Sequence, residues 1–433
     1  MQRIRTDEAP AHAGERVRLA GWLHNLRDMG KFGFLILRDG AGTFQAVLDK
    51  TSELDKLRAV QYESVLEIEG LVAEEPRAPG GAELHDCRVS VVSPVMEPLP
   101  FEINKKELKP GLHVFLNSAP LGLRHLHKRA LFRISAEMMA GFREYLSQQG
   151  FVEIQTPKIV GAATEGGANV FSIDYFGHSA YLAQSPQFYK QIMVGVYERV
   201  FEVGPVFRAE KHNTARHTNE YVSLDIEMGF IHDHTDVMDT LTALLRHMLA
   251  RLDRLCAREL ELLEIRVPSI SEAIPSLRLL DAQELILKRH GEDCLGEPDL
   301  APQHESWLCQ YAEQEMGSEF LFVTHYPTSK RPFYAMPDEQ EPSLTKSFDL
   351  LFRGCEVVTG GQRIHRYDQL LNNARQWRIH PENIEGYLQA FKYGMPPHGG
   401  FGMGLERLLM QLAELGNLRE ATLFPRDMER LAP

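Results

Sequence analysis

Apolar and polar residues alternate with a period of two through Val17 to Trp22, Phe32 to Leu37, Thr43 to Leu48 and Val65 to Val72. That spacing sends successive side chains to opposite faces and predicts short strands. Gly30, Asp39-Gly40 and Gly42 supply turn signals between them. The first hundred residues therefore predict a small β-barrel. The period then lengthens: an amphipathic helix is expected from about Lys128 to Gln149, followed by the extended stretch Gly150-Phe151-Val152-Glu153-Ile154-Gln155-Thr156-Pro157. Period two returns at Val206, Arg208 and Glu210, which share one face of a strand with Phe207 and Ala209 on the other. After a polar loop from Lys211 to Glu220, Val222, Leu224, Ile226 and Met228 alternate with Ser223, Asp225 and Glu227, as the return strand of a hairpin would. A helical stretch from about His232 to Gly317 includes an amphipathic run from Asp236 to Leu263, and a last helix is expected from Leu405.

This order predicts an α+β chain in three parts: a barrel over 1–100, a hinge over 101–126 and a larger domain over 127–433, with 232–317 as a helical insertion or outer layer. The hinge carries Lys105, Lys106, Lys109 and Arg124 against Glu102 and Glu107, suited to phosphate contacts that orient a nucleic acid without reading it. The chain has 433 residues, 43% of them hydrophobic and 25% charged, which is ample for two or three cores. A net charge of −13 describes the whole chain and says little about a local groove. Five cysteines lie far apart without a CxxC pair, excluding a disulfide framework or a cysteine zinc site as the organising feature. Neither a leader segment nor a long uncharged apolar run is apparent, so the expected location is cytoplasmic and no membrane is implied.

Two segments carry the chemistry. Phe207-Arg208-Ala209-Glu210, with its loop through Arg216-His217-Thr218-Asn219-Glu220, offers cations on a loop able to close over a ligand. Gly399, Gly400, Gly402 and Gly404 lack side chains, and Arg407 opens the following helix, so a planar base or phosphate can approach the backbone there. No βαβ unit surrounds this glycine run, which sets the dinucleotide-binding fingerprint aside. Together the segments resemble the second and third signature motifs of class II aminoacyl-tRNA synthetases, FRxE–loop–strand and GxGxxR before a helix. The helix over 128–149 with its extended tail resembles the first motif, which in that family builds the dimer interface.

A substrate with a side-chain carboxylate needs fixed cations in a closed pocket, because an unpaired buried anion costs several kcal/mol. Lys190, in Gln184-Ser185-Pro186-Gln187-Phe188-Tyr189-Lys190, and Arg363, after Glu356-Val357-Val358-Thr359-Gly360-Gly361-Gln362, are the candidates. Both segments resemble those of aspartyl-tRNA synthetases of the archaeal type. The resemblance implies that Lys190 and Arg363 grip the aspartate side chain, that Gln187 and Glu165 bind its ammonium group, and that Arg208 serves the α-phosphate and the substrate carboxylate. It implies Glu210 for the adenine amino group, Arg216 and His217 for the outer phosphates, Arg407 for the γ-phosphate, and Thr218 and Gly404 among the ATP contacts. Asp349 and Glu356 flank a tight hairpin, and two acids beside a triphosphate suffice for magnesium. The resemblance implies Thr359 as a third magnesium ligand and an aspartate contact, at a position where close relatives of the archaeal group carry serine. The implied fold is an OB-fold barrel followed by a class II catalytic domain, an antiparallel sheet flanked by helices.

Within the barrel, Phe32 and Phe34 alternate onto one face, where a ring can stack on a splayed base, and Gln45 has an amide suited to a base edge. The resemblance is to the family's anticodon-binding domain, with Phe34 stacking and Gln45 reading the middle base. His24 and Pro79 resemble the relaxed members of the archaeal group, which charge tRNA(Asn) as well as tRNA(Asp) and leave the first product to an amidotransferase. Three alternatives share parts of the pattern: an asparaginyl enzyme, which would not want Lys190; a non-catalytic tRNA-binding paralogue, which would be expected to lose Arg208, Glu356 or Arg407; and an ammonia-dependent asparagine synthetase, against which the barrel speaks.

Overall fold

The computed structural model describes residues 2–161, 169–211, 214–270 and 273–432. It divides into two units, Met1–Gly111 and Leu112–Pro433. In the first, β1 (Arg16–Asp28), β2 (Gly33–Arg38), β3 (Thr43–Leu48), β4 (Val65–Glu74) and β5 (Ala82–Ser93) close into a barrel in the order β1-β2-β3-β5-β4. Leu19, Leu23, Leu35, Leu37, Leu66 and Ile68 fill its interior. Gly21 sits where a Cβ would run into the Arg38 carbonyl, so the close approach of β1 and β2 requires glycine there. The fifth strand has no counterpart in the expected elements: Asp86 has φ 45° and Gly70 opposes a register shift, and both interrupt the alternation.

The segment expected as a hinge divides at Gly111. From Leu112 the chain is helical, over Leu112–Asn117 and Ala119–Gly122, with Phe115, Leu116 and Ala119 buried in the second unit. Apolar spacing, rather than the charges around it, decides that half.

The second unit is built on an eight-stranded sheet. Its strands are β6 (Val152–Glu153), β10 (Arg199–Phe207), β11 (Glu220–Gly229), β12 (Ser276–Arg278), β13 (Phe320–Thr324), β14 (Ser347–Phe352), β15 (Cys355–Arg363) and β16 (His398–Gly404), ordered β12-β13-β14-β15-β16-β11-β10-β6. The six central strands are antiparallel, and β12 and β6 join the edges in parallel. A small sheet of β7 (Ile159–Val160), β9 (His178–Leu182) and β8 (Ser172–Tyr175) lies apart. The helix Leu126–Gln148 packs with His234–Leu255 in one core that also holds Leu224, Ile226, Phe401 and Met403 of the sheet. The stretch expected as an insertion thus contributes a core layer through Val237, Leu241 and Leu244, as well as the edge strand β12.

Candidate active site

Register across the central strands builds the pocket floor. Asp349, Thr359, Gly402 and Asp225 are successive partners on β14, β15, β16 and β11, so they share one face. Along β11, Tyr221, Ser223, Asp225 and Glu227 alternate onto that face while Leu224, Ile226 and Met228 enter the core. The glycines of β16 divide by what they face. A Cβ on Gly399 or Gly400 would collide with protein, Gly400 against the Ile226 carbonyl and the Glu227 carboxylate, whereas Gly402 and Gly404 line the open pocket. The room expected for a ligand belongs to the last two.

At one end stand Lys190 and Arg363. Lys190, on the helix Gln187–Tyr197, donates to Asp225 Oδ1 at 2.9 Å and to the Phe401 carbonyl at 3.0 Å, with Glu227 Oε2 at 3.4 Å. Arg363 donates from Nε to Glu227 Oε1 at 2.9 Å and from Nη2 to the Gly400 carbonyl at 2.9 Å. Burial alone would raise the Glu227 carboxyl, but Arg363 and Lys190 overcome it and hold the group below its usual value. Both cations are therefore fixed by buried carboxylates before any substrate arrives. Behind them Gln187 donates to Gln191 at 3.1 Å, and Gln191 donates to His398 Nε2 at 2.9 Å. His398 is pushed down to about 4 by burial and is neutral, with Nδ1 donating to the Pro396 carbonyl at 2.9 Å.

The other end is cationic and loop-borne. Arg208 follows β10, its N–H paired to the Asn219 carbonyl at 2.9 Å and its guanidinium 5.8 Å from the Tyr221 ring centroid. Glu210 lies 3.8 Å from Arg208 and 3.7 Å from His217 Nε2. His217 Nδ1 meets the Thr214 hydroxyl at 2.6 Å, and Thr218 lines the pocket with a buried hydroxyl that finds no partner among the described residues. Arg407, in the first turn of the helix Leu405–Leu412, donates to the Glu356 carbonyl at 3.2 Å, with Glu356 Oε1 at 3.6 Å. The carboxy-terminal segment straps this loop: Asn219 N donates to the Arg426 carbonyl and Leu418 N to the Ala215 carbonyl, both at 2.8 Å. Glu165 lies outside the described residues.

Asp349 and Glu356 approach one another by a device invisible to alternation. The hairpin turn is Arg353-Gly354, both at positive φ, and a register shift between Leu350 and Leu351 adds a residue on β15. That bulge turns Glu356 to the face of Thr359, whose hydroxyl donates to Glu356 Oε1 at 2.8 Å. Asp349 is buried; burial raises its carboxyl, Arg331 opposes at 2.7 Å from Oδ2, and the nearby Glu356 charge raises it further. Its Oδ1 is buried without a hydrogen bond among the described residues. An orphaned oxygen, a second carboxylate and a hydroxyl fit a magnesium ion that takes most of its ligands from phosphate and water. No trio of His, Cys, Asp or Glu gathers as a metal site among the described residues.

Tyr221, Asp225, Glu227, Arg331 and Glu305 are among the residues here that carried no expectation of a site role from the sequence. Glu305 accepts from the Glu356 N–H at 3.3 Å, and burial followed by the Glu356 charge pushes it up to about 7.

Residues 113–428 match the family model described as tRNA synthetases class II (D, K and N), and residues 17–99 match the OB-fold nucleic acid binding domain. The chain belongs to the class II tRNA synthetases. Among its relatives within this synthetase family, the aspartate–tRNA(Asp/Asn) ligase of Deinococcus radiodurans is 47% identical over all of this chain and 99% of its own. The ligase of the same name from Thermus thermophilus is 47% identical over the full length of both. The crystal structure of asparaginyl-tRNA synthetase from Pyrococcus horikoshii complexed with asparaginyl-adenylate superposes with a TM-score of 0.93 at 32% identity, covering both chains completely.

The synthetase's barrel presents the remaining expected residues on its outer surface. Phe34 lies outside the core, edge-on to the exposed Phe32 at 5.6 Å between ring centroids. Gln45 donates from Nε2 to Glu83 at 2.7 Å, which leaves its carbonyl oxygen as the acceptor end of the amide. His24 Nδ1 lies 3.5 Å from Arg38, itself paired twice to Glu63 at 2.7 Å, and Pro79 is exposed in the loop between β4 and β5. No helix of the described residues is long and apolar enough to cross a membrane.

Proposed function

We propose that this synthetase activates L-aspartate with ATP and transfers the aspartyl group to the 3′ end of both tRNA(Asp) and tRNA(Asn). The observation that carries the reading is the gathering of Lys190, Arg363, Arg208 and Arg407 in the lining of one pocket. Full-length identity of 47% to ligases named for tRNA(Asp/Asn) agrees with it.

In the first step an oxygen of the aspartate α-carboxylate attacks the α-phosphorus of ATP. The bond to the bridging oxygen breaks, its electron pair leaves with pyrophosphate, and aspartyl-adenylate remains. In the second step a ribose hydroxyl of the tRNA takes the aspartyl group, and AMP departs with the proton. Two anions must meet, so positioning and charge neutralisation dominate. Arg208 bridges the α-phosphate and the attacking carboxylate, Arg407 takes the γ-phosphate, and Arg216 and His217 take the outer phosphates. Tyr221 offers its face to adenine, Glu210 accepts from the adenine amino group, Thr218 adds a contact at that end, and Gly404 leaves room. Arg363 and Lys190 receive the aspartate side chain, the guanidinium through parallel donors, and Gln187 receives the ammonium group. Magnesium, when bound by Asp349, Glu356 and Thr359, would neutralise the phosphate charge that builds on the leaving group.

On the barrel, Phe34 stacks and Gln45 reads the middle anticodon base, while His24 and Pro79 leave the position that separates the two tRNAs unpoliced. Aspartyl-tRNA(Asn) would pass to an amidotransferase, and the protein would act in the cytoplasm as a homodimer joined through Leu126–Gln148 and its tail. Pyrophosphate exchange with aspartate and asparagine in parallel, followed by aspartate charging of both tRNA transcripts, tests the reading. Exchange with aspartate and charging of both are expected. Exchange with asparagine alone would move the chain to the asparaginyl branch, and charging of tRNA(Asp) alone would remove the dual specificity.

A further inference from the structure

The helix Pro302–Met316 lies far in sequence from every motif described above, yet it delivers a carboxylate to the triphosphate end of the pocket. Its start is held rigidly: His304 Nδ1 accepts from the Ala301 N–H at 3.2 Å, His304 Nε2 meets Glu292 at 2.8 Å, and Leu308, Cys309 and Ala312 are buried against Leu321 and Val323 of β13. Glu305, in the first turn, is thereby presented from a fixed element. Its Oε2 accepts from Arg216 Nη1 at 3.3 Å and from the Glu356 N–H at 3.3 Å, and Arg216 Nη2 donates to the Gly354 carbonyl at 3.2 Å. One carboxylate oxygen thus joins a loop arginine to the turn that carries Glu356.

We infer that Glu305 is a positioning residue for ATP: it holds the Arg216 side chain across the mouth of the pocket so that the outer phosphates meet a cation already in place. Arg216 stands on a loop and carries a long side chain whose rotamer freedom must be lost when it binds phosphate. An ion pair to a rigid helix removes part of that cost beforehand. A guanidinium has five N–H donors, so contacts to Glu305 and Gly354 leave others for phosphate oxygens. The inference rests on the reading of Arg216 as an outer-phosphate ligand, and it extends the ATP site into the helical layer.

The test is aspartate-dependent pyrophosphate exchange by the full-length enzyme carrying Glu305→Ala, Arg216→Ala, or both. Each single variant is expected to raise KM for ATP about tenfold, the scale of a lost charge-assisted hydrogen bond, with KM for aspartate unchanged within about twofold. The double variant is expected to match Arg216→Ala, because Glu305 acts through that arginine. Glu305→Gln keeps an acceptor for the Glu356 N–H but loses the charge, and is expected to reproduce most of the rise. Unchanged KM for ATP in Glu305→Ala beside a raised value in Arg216→Ala would overturn the inference alone, as would effects that multiply in the double variant or a Gln variant that behaves as the native enzyme. Unchanged KM for ATP in Arg216→Ala would instead overturn the assignment of Arg216.

Discussion

The Lys190 ammonium nitrogen lies 2.9 Å from Asp225 Oδ1 and 3.4 Å from Glu227 Oε2, and none of the three side chains is more than 3% exposed. With Arg363 they form a closed set of two cations and two anions on the pocket wall. Such a set does not stabilise the fold much relative to apolar residues, but breaking it strands a buried charge.

Replacing Lys190 with Met should therefore destabilise the protein by about 3–5 kcal/mol, read as a lower urea midpoint. Adding Asp225→Asn should recover part of that loss, since it removes one of the stranded anions, while aspartate-dependent exchange is expected to be lost in both variants. Full stability in Lys190→Met would mean that water reaches the cluster.

The glycines of β16 separate folding from binding. Gly400→Ala would drive a methyl group into the Ile226 carbonyl and the Glu227 carboxylate, so β16 and β11 would have to part. A loss of about 3 kcal/mol or an insoluble product is expected. At Gly404 the nearest atom to an added Cβ is 3.7 Å away, on Arg407. Gly404→Ala should keep stability within about 0.5 kcal/mol while raising KM for ATP. Equal stability of the two variants, in chemical denaturation, would contradict the packing account.

The two β16 positions also mark how far sequence reaches. Glycine spacing points to a close approach but not to what approaches. Alternation along β11 reaches further: Tyr221 shares its period with Ser223, Asp225 and Glu227, which makes it legible as a residue of the same face. Glu356 shows the opposite case. It is three residues from Thr359 and reaches the same face only through a bulge, which depends on the partner strand rather than on its own sequence. Arg331 reaches Asp349, and Glu305 reaches Arg216, 89 positions away, only once the sheet and helix are assembled. Local pattern foretold four strands of the barrel and the strand pair on either side of the 211–220 loop; long-range pairing decided the bulges and the partners that hold the pocket side chains.

Acid should unfold the protein partly through His398. Burial pushes its pKa down to about 4 from an unfolded value near 6.5, with Glu227 opposing, so the folded state favours the neutral ring. Between those values the unfolded chain binds more protons. The contribution is complete above about pH 6.5, falls as pH drops, and is exhausted near pH 4, amounting to at most about 3 kcal/mol. His234, also pushed down to about 4 by burial, adds a change of the same sign. Urea midpoints at pH 7.0 and 5.0 should differ less in His398→Asn than in the native protein. An undiminished difference would place the titration elsewhere.

Thr359 separates orientation from ligation in the acidic cluster. Its hydroxyl has one proton and gives it to Glu356 Oε1 at 2.8 Å, while Asp349 stands opposite it across β14 and β15. The donated bond occupies Glu356 Oε1 and so fixes the orientation of that carboxylate, and the lone pairs of the hydroxyl stay available to a cation. Thr359→Val removes both functions with little change in volume, leaving two carboxylates that repel each other. Thr359→Ser keeps the hydroxyl and loses only a methyl. The magnesium concentration for half-maximal pyrophosphate exchange should rise roughly two- to tenfold in Thr359→Val, the range of one net hydrogen bond, and stay near the native value in Thr359→Ser. Chelation of magnesium should stop exchange in all three proteins. If the serine variant needed as much additional magnesium as the valine variant, the methyl packing of Thr359, not its hydroxyl, would be what positions Glu356.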